Sequence, residues 1–335
     1  MKAAQKILTD LAKKKYVPIY FLVGEKETFF VDQIADYIDK NVLSEDEKGF
    51  NHQIMYGKDV TMEDVVGSAK RFPMMASHQV IIVREAQALI KNLDDLVHYA
   101  KKPQHSTILV FCCKYKKPDA RKAAIKEIKK NGVYYQTAAI YENQVLDWIP
   151  AHLATKQFSI DTKASKMLID FIGADLSKLN KELEKLMQIL PLGSRITPDA
   201  VEENIGISKD FNNFELINAI VDKNEFKAQQ IVEYFHQNPK GNPLIVTVYQ
   251  LFGFFTKLMI YHSLSDKSNP SASKELGINS YFVKDYVKAS KVYPMKKVSK
   301  ILVYLRELDI KSKGVDTGKF SNEGILKEFL VKTIR

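Results

Sequence analysis

The sequence predicts an α/β unit built on a buried parallel sheet, followed by two all-α units. Three observations lead there. Apolar runs alternate with amphipathic ones through the first 140 residues, helix-period patterns replace them afterwards, and 335 residues exceed what a single core usually organises. The expected domains are 1–140, 141–208 and 209–335.

The chain opens with a Lys-rich amphipathic stretch that carries no small-residue cleavage pattern of a secretory signal. Apolar runs follow at 19–23, 54–56, 80–83 and 108–113, each succeeded by an amphipathic stretch, at 30–42, 62–71, 86–100 and 120–130. Short runs that are apolar on both sides, set between helices, indicate strands of a sheet covered on both faces. The first domain is therefore read as α/β.

From Tyr141 onward the strand signal fades. Asp175 is placed to cap a helix whose Leu176, Leu179, Leu183, Leu186, Met187 and Leu190 form one stripe. Thr197, Pro198 and Gly206 supply the cap, first-turn proline and terminal glycine of a shorter helix. Further on, Leu244, Val248, Leu251, Phe255 and Leu258 share one helical face, as do Val298, Ile301, Leu302, Leu305 and Leu308. The polar stretch 263–273 between them reads as a long loop.

The net charge of +10 is unevenly spread, at +6 for 1–140, −3 for 141–206 and +7 for 207–335. Basic ends suit a chain that meets DNA or an acidic partner, and equally suit lysines that only keep the surface solvated. The two cysteines, Cys112 and Cys113, are adjacent in an apolar run, which suits neither mutual pairing nor a zinc site. A reducing, cytoplasmic setting fits. The apolar stretch 244–261 is interrupted by Gln250 and Lys257 and reads as a buried helix, so no membrane is expected.

A phosphate-binding loop belongs after the first strand of such a sheet. Gly24 fits the first glycine of the G-x-x-x-x-G-K-[ST] pattern, but Phe29, Phe30 and Val31 stand where the second glycine, the lysine and the hydroxyl residue belong. Aromatic rings and a valine can neither admit phosphates to the backbone nor hold magnesium. The run 80–83 ends in Arg84-Glu85, which puts a cation where a magnesium-orienting carboxylate is needed. No histidine pair at helical spacing, no G-x-S-x-G and no C-x-x-C occurs. The residues offer no catalytic group, no metal ligand set and no cofactor site.

Between the helix at 62–71 and the strand at 80–83 lies Phe72-Pro73-Met74-Met75-Ala76-Ser77-His78. Proline ends the helix and leaves four apolar side chains on a connection where polar ones are usual. Methionines exposed there would form an adaptable apolar grip on another protein. Residue types alone leave two outcomes open: an exposed wedge, or side chains folded back onto the domain's own core.

Four segments in order, YFLVGE at 20–25, FPMMASHQVIIVREAQ at 72–87, NQVLDWI at 143–149 and GADLSKLNKEL at 173–183, resemble the delta-subunit family of bacterial DNA polymerase III clamp loaders. The resemblance implies an AAA+-like, P-loop-type α/β domain without a working nucleotide site, a small helical lid, and a helical collar that joins other loader subunits in a hetero-pentamer. It implies a clamp-binding wedge at Met74 and Met75, flanked by Phe72 and Pro73, with a sliding clamp and primed DNA as partners. The degenerate nucleotide site maps to Gly24, Phe29, Phe30 and Arg84. Two methionines stand here where some relatives carry leucine and phenylalanine. Two rival readings remain: a degenerate AAA+ ATPase that works through Lys26 and Glu85, and a stand-alone basic DNA-binding protein.

Overall fold

A computed structural model of the chain describes residues 2–140, 142–314 and 321–335. Met1 and Tyr141, the first residues of the first two expected domains, lie outside the described residues.

In the N-terminal part the apolar runs pair into one parallel sheet. In order it contains α1 (Lys2–Ala12), β1 (Ile19–Gly24), α2 (Phe29–Asn41), α3 (Glu45–Asn51), β2 (His52–Tyr56), α4 (Met62–Ala69) and β3 (Gln79–Arg84). A 3-10 segment (Ala86–Leu96), α5 (Val97–Lys101), β4 (Thr107–Lys114), α6 (Ala123–Asn131) and β5 (Val133–Gln136) complete it. The strand order is β2-β3-β4-β1-β5, with every neighbour parallel. All of β1 and all of β4 except Lys114 are buried, which is why these runs carry no polar alternation. The rings of Phe21 and Phe111 pack across them in a tilted arrangement, 5.2 Å between centroids. Large side chains buried in this way contribute ~1.5–3 kcal/mol each.

Three local readings change. The stretch 86–100 is not one α-helix, because Asn92 leaves helical geometry (φ −99°, ψ 22°) and the part before Val97 is 3-10. The helix expected from residue 120 starts at Ala123, because Asp119 turns the chain by accepting the Arg121 N–H at 2.9 Å. Strand β5 carries no clear signal, as its edge position leaves only Tyr135 buried.

The chain divides into two compact units, Met1–Ile140 and Tyr141–Arg335. The second begins with α7 (Glu142–Ala154), β6 (Ser159–Ile160), α8 (Thr162–Ile172), α9 (Leu176–Ile189), β7 (Arg195–Ile196) and α10 (Pro198–Ile205). Asp175 accepts the Lys178 N–H at 3.1 Å and Thr197 accepts the Ala200 N–H at 3.2 Å, so both capping residues stand where the sequence puts them. Gly206 ends α10 with φ +80°, in the left-handed region that glycine adopts without steric cost. The two-residue strands β6 and β7, which pair in parallel, are too short to leave a sequence pattern.

Next come α11 (Asn213–Val221), α12 (Glu225–Gln237), α13 (Leu244–Ser263), α14 (Asn269–Leu276), a 3-10 turn (Ser280–Phe282), α15 (Val283–Val292), α16 (Met295–Ser312) and α17 (Asn322–Ile334). The expected long loop at 263–273 is shorter, since α14 starts at Asn269 with Pro270 in its first turn. Among the described residues, α13 is the one helix long and apolar enough to cross a membrane by length and composition. One side of it, Val248, Leu251, Phe255 and Leu258, lies in the bundle core with Val298, Ile301 and Leu305 of α16. Its other side exposes Ile245, Tyr249, Phe252 and Ile260.

Candidate functional site

The two ends of the parallel sheet hold the two groups of residues that the sequence singles out. Gly24 and Arg84 close strands β1 and β3 at their carboxyl ends, while residues 72–78 enter β3 at its amino end. A six-residue strand spans ~20 Å, so the two sites lie about that far apart.

At the carboxyl end, the turn after β1 is filled by the chain itself. A Cβ on Gly24 would lie 2.7 Å from the Glu27 carbonyl oxygen, so glycine is required by the tightness of this turn alone. Glu27 is buried, and its carboxylate accepts the Phe29 N–H at 2.7 Å. That N–H opens α2, where a helix offers its free donors and the positive end of its dipole to an anion. The Glu27 carbonyl in turn accepts the Thr137 hydroxyl at 2.7 Å. Phe29 and Phe30 are both buried, edge to face at 5.3 Å, and Val31 is fully buried behind them. Lys26 is exposed.

Arg84 is held by the same helix. Its Nη2 lies 2.7 Å from Asp36 and its Nη1 3.4 Å from Asp32, whose carboxylate also meets Lys114 Nζ at 2.7 Å. Burial works against the Arg84 charge, but the hydrogen bond it donates to Asp36 and the charges of Asp36 and Asp32 outweigh it, and its pKa rises. Asp32 and Asp36 of α2 are thus paired with bases at the ends of β3 and β4. Cys112 lies beneath, its thiol pushed up to about 12 by burial, which leaves it protonated and unreactive. Glu85 is exposed, with φ +51°, and Lys58 lies 3.9 Å away. Among the described residues no group of three His, Cys, Asp or Glu side chains is placed to hold a metal ion.

The amino end is different. Phe72, Met74 and Met75 are exposed, Met75 completely (relative exposure 103%), and Pro73 is half-buried. The side chains do not fold back onto the core. The segment that carries them is nevertheless tied down at several points. Gln79, buried at the start of β3, donates to the Arg71 carbonyl and to Thr107 Oγ1 at 2.7 Å. Thr107 donates to the Ala69 carbonyl at 2.9 Å, and the buried Tyr99 hydroxyl reaches the same carbonyl at 3.3 Å. Tyr16 packs edge-on against His78 at 5.4 Å. In the middle, the side chain of Asn51 bonds to both backbone polar groups of Met74.

The structure brings Phe72, Pro73, Met74 and Met75 together on one loop, and Gly24, Phe29, Phe30 and Arg84 around one strand-to-helix junction. Sequence reading missed Glu27, Asp32, Asp36, Lys114 and Asn51. Only Asp32 and Asp36 leave a usable trace, a pair of acids at i,i+4 on one face of a helix whose other face is apolar.

Two family models match this chain. Residues 20–137 match that of the DNA polymerase III delta subunit, and residues 210–333 match that of its C-terminal domain. DNA polymerase III subunit delta of Bacillus subtilis (strain 168) is 24% identical over 338 residues, covering 97% of this chain and 95% of its own. The probable DNA polymerase III subunit delta of Aquifex aeolicus (strain VF5) is 20% identical over 317 residues, covering 88% of each. The solved DNA clamp loader delta protein of Bacillus subtilis has the same fold, with a TM-score of 0.55 at 21% identity over 99% of each chain.

Proposed function

The chain belongs to the DNA polymerase III delta-subunit family, and from that premise we propose that it grips the sliding clamp through Met74 and Met75 and helps open it for loading onto primed DNA. The observation that carries this reading is two fully or largely exposed methionines on a loop whose backbone is held at Arg71 and at Met74. Thioether side chains adapt to an apolar pocket, and burying each one would contribute ~1.5–3 kcal/mol. Phe72 and Pro73 flank the contact. Such a grip opens a ring only to the extent that it binds the open form more tightly than the closed one, tenfold in the equilibrium for each ~1.4 kcal/mol of difference.

In this reading the chain catalyses nothing. The Glu27 carboxylate at the start of α2, the rings of Phe29 and Phe30, and the pairing of Arg84 with Asp32 and Asp36 support the loss of the nucleotide site. They argue against the rival ATPase working through Lys26 and Glu85. ATP-binding partner subunits would then drive the cycle, with this chain as their lever on the clamp. Residues 141–208 serve as the lid and 209–335 as the collar of a hetero-pentamer, acting in the cytoplasm. The exposed apolar side of α13, with Ile245, Tyr249, Phe252 and Ile260, supports a collar that is covered by neighbouring subunits.

Clamp capture by the full-length chain tests the grip. The Met74→Asp, Met75→Asp double variant should lose clamp binding, because it would place two unpaired carboxylates in an apolar pocket. Unchanged capture by a correctly folded double variant would refute the assignment.

A further inference from the structure

We infer that Asn51 is a positioning residue for the clamp grip, holding the Met74 backbone so that Met74 and Met75 are presented in their binding geometry before the clamp arrives. This rests on the reading of Met74 and Met75 as the grip.

Asn51 is the last residue of α3 and is buried, with 4% of its surface exposed. Its Nδ2 donates to the Met74 carbonyl at 2.8 Å and to the Glu47 carbonyl at 2.9 Å, while its Oδ1 accepts the Met74 N–H at 2.6 Å. The side-chain amide therefore treats Met74 as a neighbouring peptide would, using both a donor and an acceptor. Only an amide at this length can do so. Aspartate has no donor for the carbonyl, and glutamine is a methylene too long.

The helix that supplies Asn51 is itself fixed. The N–H and hydroxyl of Ser44 both donate to Glu47 at 2.9 Å, and this reciprocal cap holds α3 at its first turn. One residue beyond the held peptide, Met75 has φ +53°, a left-handed conformation that residues other than glycine rarely adopt. A free apolar loop would not select that geometry by itself. With both polar groups of Met74 occupied and Met75 turned at a fixed angle, the two side chains leave the surface in defined directions. A loop ordered in advance loses less conformational freedom on binding, so the benefit falls on clamp affinity more than on the stability of the fold.

The test compares wild type, Asn51→Ala, Asn51→Asp and the Met74→Asp, Met75→Asp double variant as full-length chains against purified sliding clamp. It measures the clamp dissociation constant, the thermal midpoint and hydrogen exchange at the Met74 amide. Asn51→Ala should weaken clamp binding about tenfold and accelerate exchange at Met74, while amides of β1 and β4 keep their protection. Asn51→Asp, nearly the same size, should also weaken binding, because it sets an oxygen against the Met74 carbonyl; it keeps the experiment readable if the alanine variant folds poorly. Wild-type affinity in either Asn51 variant, with Met74 exchange accelerated, would overturn the positioning role and leave the grip intact. Wild-type affinity in the double methionine variant would overturn both.

Discussion

The two ends of the sheet in the N-terminal unit treat their side chains in opposite ways. At the carboxyl end each exceptional group has an internal partner: Glu27 bonds to the first turn of α2, Arg84 to Asp32 and Asp36, and Lys114 to Asp32. At the amino end the backbone is held at Arg71 and Met74 by Gln79 and Asn51, while the side chains of Met74 and Met75 face solvent. A ligand site needs unsatisfied groups in a fixed frame. The carboxyl end has a frame whose groups are satisfied from within, as the proposed structural joint requires, whereas the amino end has a frame with its apolar groups still unspent. The contrast requires stability and clamp affinity to respond separately to changes at the two ends.

Arg84→Ala is expected to give the largest change in stability. It leaves Asp36 without its 2.7 Å partner and Asp32 with Lys114 alone. Removing one member of a fully buried pair costs ~3–5 kcal/mol, and the partial exposure of both acids lowers the expectation to about 1–2 kcal/mol, read from chemical denaturation. Clamp affinity should stay within twofold of wild type. A parallel loss of affinity would break the contrast by showing that the two ends are coupled. Glu27→Ala comes next, since it strips the Phe29 N–H of its acceptor and should cost about 1 kcal/mol, the usual value of a lost helix cap. Equilibrium dialysis should find no ATP binding in that variant either, because Phe29 and Phe30 still fill the space. Saturable ATP binding would mean that Glu27 alone had been closing a competent site.

Much of this frame is legible in the sequence, and the limits follow a physical rule. Strands β1, β3 and β4 are buried on both faces, so their residues report burial directly as continuous apolar runs. Strand β5 sits at the sheet edge, where Val133 and Tyr134 remain half-buried and Gln136 exposed, and its pattern is lost among neighbouring helices. The segment at 269–276 looks polar because Ser, Asn and Pro serve a helix start as readily as a loop. At the candidate sites, Phe29, Phe30 and Arg84 depart from the phosphate-loop spacing locally, and such departures are visible in the sequence. Asn51 acts through Met74, 23 residues away, and the Glu27 turn is closed by Thr137, 110 residues away, while the Glu27 carboxylate itself serves the nearby Phe29 N–H. Nothing in the residues around Asn51 indicates which backbone it holds. Nor could composition decide whether Met74 and Met75 would be exposed, since the same side chains would serve equally well in a core.

The smallest expected effect lies at His78, where the loop bearing Met74 and Met75 enters β3, and it asks whether the amino end carries any electrostatic control of its own. Burial lowers the His78 pKa, while the nearby Glu47 carboxylate pulls it the other way without cancelling the shift. In the unfolded chain this histidine titrates near 6.5, so as pH falls through that value the unfolded state takes up the proton before the folded state does. The neutral form is the one the fold prefers. The His78 contribution is therefore fully present above about pH 6.5 and is lost below it, until the folded state is protonated as well. Thermal midpoints recorded between pH 7.5 and 5.5 should accordingly fall slightly more for wild type than for His78→Gln, which cannot titrate. Because Met74 and Met75 carry no charge and the Asn51 amide does not ionise, clamp affinity should keep the same ratio between the two proteins across that range. An affinity that drops with acid in wild type and not in His78→Gln would show that the loop bearing Met74 and Met75 senses the protonation of its own hinge, and the proposed grip would then be a regulated surface instead of a fixed one.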